Sequence, residues 1–63
     1  MPAEGDRIHK LRHDLSNPLS AILAETQVLL LSPEKYDEET VSSLKQIEAL
    51  ARRMRQMLQD LQT

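Results

Sequence analysis

Two stripes of apolar residues at helical spacing, parted by a single Ser-Pro pair, constrain this chain more than any other feature. The first runs through Ile8, Leu11, Leu15, Leu19, Ile22, Thr26 and Leu29 in steps of three and four, widened by Leu23 and Leu30. The second runs through Leu44, Ile47, Ala51, Met54, Leu58 and Leu61 in the alternating steps of core heptad positions, flanked by Leu50 and Met57. Between them, Leu31-Ser32-Pro33-Glu34-Lys35-Tyr36-Asp37 carries turn chemistry, and Asp37, Glu38 and Glu39 place negative charge where a second helix would start. The pattern predicts helix one over about residues 7–31, a turn over about 32–37 and helix two over about 38–62. So short a connection makes them antiparallel neighbours. Residues 1–5 read as an unstructured start.

Composition excludes most alternatives. The chain has 63 residues, room for one small domain, and holds one Gly, no Cys and one aromatic residue, Tyr36. Without Cys there is no disulfide and no thiolate metal site, so association is the remaining aid to a core this small. Each stripe is wider than a two-helix seam needs, which predicts an all-α hairpin that pairs with a second copy into a homodimeric four-helix bundle. Eight Lys and Arg against ten Asp and Glu give a net charge of -2, so nothing favours nucleic acid. The apolar runs Ala21–Ala24 and Val28–Leu31 are far too short for membrane insertion, and the first ten residues lack the apolar core of a signal peptide. The expected location is cytoplasmic.

At about 100° per residue, His13 projects roughly 160° from the centre of the first stripe, with Asn17 on the same outer face and His9 one turn earlier. Pro18 falls inside the helical pattern, where it removes the hydrogen bond to the Asp14 carbonyl and crowds that turn at a cost of about 3 kcal/mol. A tolerated kink explains it in purely structural terms; a loosened turn beside a reactive side chain explains it in functional ones.

The run His13-Asp14-Leu15-Ser16-Asn17-Pro18-Leu19 resembles the H-box of the dimerisation and histidine phosphotransfer domain of sensor histidine kinases. Ile47, Ala51, Arg53-Met54, Leu58 and Asp60-Leu61 resemble its second helix, so the similarity spans nearly the whole chain. It departs from the family pattern at Arg12, where a small residue is commoner, at Ser16, and in lacking an upstream Phe. The resemblance implies a phosphoacceptor and dimerisation module of two-component signalling. His13 would take the γ-phosphoryl group of ATP from a separate ATP-binding domain and pass it to an aspartate of a response-regulator receiver domain. The chemistry agrees, since an exposed imidazole is mostly neutral at neutral pH and keeps one ring lone pair free to attack. Asp14 would act as general base, and Asn17 would orient a water for dephosphorylating the receiver. Without the resemblance, Asp14 reads as a surface carboxylate paired with Lys10 and Asn17 as a solvated amide.

A turn centred near residue 34 would set Arg52, Arg53, Arg55 and Gln56 of helix two beside His13. With Arg12 and Ser16 they form the expected contacts to receiver or phosphate, or else a solvated face. His9, His13 and Asp6 offer at most three weak, exposed ligands, so no metal site is expected. ATP-binding domains need Gly-rich and Asn-containing boxes, whereas this chain has a single Gly and a single Asn; ATP and Mg2+ are expected only through a separate kinase domain. Two other readings remain open at this level: a stand-alone histidine phosphotransfer protein, and a chemically silent helical dimerisation adaptor.

Overall fold

The computed structural model describes residues 4–61 and is an antiparallel hairpin of two helices, α1 (Glu4–Leu30) and α2 (Glu38–Gln59), joined through a 3-10 turn at Pro33–Lys35. Helix α1 starts inside the stretch expected to be unstructured: Glu4 and Gly5 are helical, and Met1–Ala3 lie outside the described residues. Asp6 puts an acid in the first turn, where the helix dipole favours it, and one Gly there costs about 1 kcal/mol at most.

The chain turns without any left-handed residue among those described. Ser32, which precedes a proline, is pushed out of the α region to φ −128°, ψ 64°, and this ends α1. Backbone bonds from Lys35 N–H to the Ser32 carbonyl and from Tyr36 N–H to the Pro33 carbonyl, both 3.1 Å, hold the connection. Asp37 then caps α2, its Oδ1 accepting from the Thr40 N–H at 2.7 Å, with Glu38 and Glu39 in the first turn.

Each predicted stripe proves to be two. One arc of α1, holding the buried Leu19, Leu23 and Thr26, packs against Ala51 of α2, with Leu58 half-buried beside them. The Thr26 hydroxyl donates to the Ile22 carbonyl at 2.7 Å, so its burial leaves no polar atom unpaired. The neighbouring arc stays open: Leu15, Ile22, Ile47 and Met54 are 44%, 51%, 43% and 52% exposed and line one shallow apolar groove with Pro18 and Leu50. A helix with a single neighbour covers only about a third of its circumference, and the wider stripe exceeds that. No described helix is long and apolar enough to cross a membrane.

Candidate functional site

Helix α1 carries His13, Asp14, Asn17 and Pro18, all exposed. It continues through Pro18 to Leu30, so the Asp14 carbonyl lacks its usual intrahelical donor within an otherwise continuous helix. By helical projection His13 points about 170° away from the centre of the open apolar arc, and Asn17 about 130° from it. Both therefore flank the hairpin on the side turned from the groove.

Asp14 has a partner other than His13. Its Oδ2 accepts from Lys10 Nζ at 2.6 Å, one turn toward the N-terminus. The Lys10 hydrogen bond holds the Asp14 carboxyl below the usual carboxylate range, and the charges of Lys10 and His13 act in the same direction. Lys10 is raised in return. The carboxylate is thus ionised at neutral pH, as a base must be, but it is drawn along the helix away from the imidazole.

The expected cationic surround is only partly gathered. Leu19 packing on Ala51, and Arg12 reaching Leu61, set the register of the hairpin. Interpolation between them puts about residues 57–60 level with His13, roughly one turn beyond the 52–56 expected, because the helix register centres later than residue 34. Arg53 and Gln56 are exposed, Gln56 donating to Asp60 Oδ1 at 3.0 Å. Arg52 is exposed and pairs with Glu48 at 3.5 Å. Ser16 and Arg55 are half-buried.

Arg12 does not extend outward beside His13. It is half-buried, its Nη1 donates to the Leu61 carbonyl at 3.2 Å and its Nη2 lies 3.1 Å from His9 Nδ1. The guanidinium is thus engaged within its own chain, at the surface of the hairpin. A signal for this existed, since at 100° per residue Arg12 projects between Leu19 and Leu23. Among the described residues no three of His, Asp and Glu stand together as a metal site.

The family model for the His Kinase A (phospho-acceptor) domain matches residues 3–63. The chain belongs to that family. A His Kinase A domain is a helical hairpin, as found here, and the chain is accordingly a phosphoacceptor and dimerisation module of histidine kinases. Domains of this family dimerise and work with kinase ATP-binding domains and receiver domains. No curated protein and no solved structure gives a significant match, so the family model carries the assignment alone.

Proposed function

We propose that His13 is the phosphoacceptor of a cytoplasmic, homodimeric two-component kinase module. One observation carries this reading: in a His Kinase A domain, His13 stands exposed on the flank opposite the open apolar face, immediately before Asp14 and one turn before the in-helix Pro18. A ring nitrogen of His13 attacks the γ-phosphorus of ATP held by a separate domain. The N–P bond forms as the bond from γ-phosphorus to the bridging oxygen breaks, ADP leaves, and Asp14 takes the proton from the other ring nitrogen. Phospho-His13 then yields the phosphoryl group to an aspartate of a receiver domain, with Gln56 as an exposed donor on α2 near the level of His13 and Arg53 about a turn further toward the connection. Asn17 orients water when the receiver is dephosphorylated. Asn17→Ala should therefore leave labelling of His13 intact and slow receiver dephosphorylation; equal loss of both would make Asn17 structural.

The test is incubation with a purified histidine-kinase ATP-binding domain and γ-labelled ATP, followed by acid and base treatment, since phosphohistidine is acid-labile and base-stable. The parent and the His9→Gln chain should take acid-labile label, and His13→Gln none. Acid-labile label on His13→Gln would overturn the assignment.

A further inference from the structure

Among the described residues, the buried side chains of α1 all lie between Pro18 and the turn. Toward the free ends of the hairpin, the seam position that projects between Leu19 and Leu23 is held by Arg12. Its guanidinium ties α1 to the chain just past α2, donating to the Leu61 carbonyl at 3.2 Å and lying 3.1 Å from His9 Nδ1 one turn back. Helix α2 ends at Gln59 with no basic residue in its last turn, and Arg12 of α1 brings a cation to the chain just past that end.

The turn that receives this restraint needs it. Arg12 and His13 are consecutive, and the stretch from His13 to Pro18 lacks one rung of its hydrogen-bond ladder because Pro18 cannot donate to Asp14. A planar guanidinium can hold two acceptors at once; an ammonium at the same place serves as a single point of attachment.

We propose that Arg12 is a positioning residue for His13: it clasps the C-terminal end of α2 to the turn of α1 that carries the acceptor, and so holds the imidazole steady for the incoming phosphoryl group. This rests on His13 being the acceptor. The parent is compared with Arg12→Lys, Arg12→Met and Arg12→Ala by amide hydrogen exchange and by the initial rate of labelling from γ-labelled ATP and a purified kinase ATP-binding domain. Opening the clasp should speed exchange of the amides of residues 57–61 about tenfold, roughly the worth of one net hydrogen bond, and leave residues 23–27 unmoved. Labelling should fall by a similar factor in the Met and Ala chains and recover in part with Lys.

Met keeps the apolar stem and removes every donor, so parent-like labelling of Arg12→Met overturns the proposal. Faster exchange at 57–61 with unchanged labelling also overturns it, since the clasp would then serve stability alone. A parent chain that takes no label refutes His13 as acceptor, and the positioning role with it, whereas a labelled parent with parent-like variants refutes the clasp alone.

Discussion

Asp14 sits between two neighbours that ask different things of its carboxylate. Lys10 holds it at 2.6 Å and depresses its pKa, while general-base work on His13 requires it to turn the other way. The restraint is weak, for solvent screens an exposed pair one helical turn apart. Lys10→Met should therefore raise the initial rate of labelling by about twofold, and Asp14→Asn should lower it by roughly 10² to 10⁴. Because the Lys10 hydrogen bond holds the Asp14 carboxyl low, losing Lys10 should also move the titration of that carboxyl, followed by NMR, to higher pH. A Lys10→Met chain slower than its parent would show that the pair supports the base. At the same scale, the sequence left the side-chain partners of Arg12 open. The charge of Arg12 argued for solvent and its angle on the helix argued for the seam, and the angle won because a long aliphatic stem lies along apolar surface while its head finds a carbonyl.

Element boundaries follow from identifiable chemistry. The start of α2 was legible because Asp37 is a capping residue followed by two acids; the start of α1 was not, because no capping signal stands in its first residues and helix formation extends through Gly5. Asp37→Ala should remove the bond to the Thr40 N–H and lower the midpoint of thermal unfolding by roughly 4 to 8 °C. The Thr40 bond holds the Asp37 carboxyl below its usual range. With a folded pKa below the unfolded one, the cap's contribution is complete above the ordinary carboxylate range and is lost as pH falls through the depressed folded value. Asp37→Asn, which still caps, should flatten that acid limb. An unchanged slope would assign the acid sensitivity elsewhere.

For the molecule as a whole, period alone marked which side chains avoid water but could not say which neighbour covers which arc. Leu19 and Ile22 belong to one stripe by spacing, yet the first is buried by α2 and the second is half open. Under the proposed pairing the open arc would seat the second copy, since a core of Leu19, Leu23 and Ala51 is small for a domain that must stand alone. The parent should sediment at twice 7.2 kDa at roughly tens of micromolar. Ile47→Glu puts a charge on the open arc without entering the seam, and it should give the single mass together with loss of helix. A parent of 7.2 kDa that keeps its full helix content would refute the pairing.

The placement of His13 opposite that arc bears on how many phosphoryl groups such a pair can carry. Each hairpin is 12 to 15 Å across, so two joined as proposed, through their open arcs, would hold their imidazoles on opposite outsides. That separation exceeds the Debye length of about 8 Å at physiological ionic strength. A phosphoryl group with close to two negative charges on one flank is then screened from the other. In the proposed pair both acceptors would then fill nearly independently, the half-loaded pair meeting little electrostatic penalty in taking its second charge.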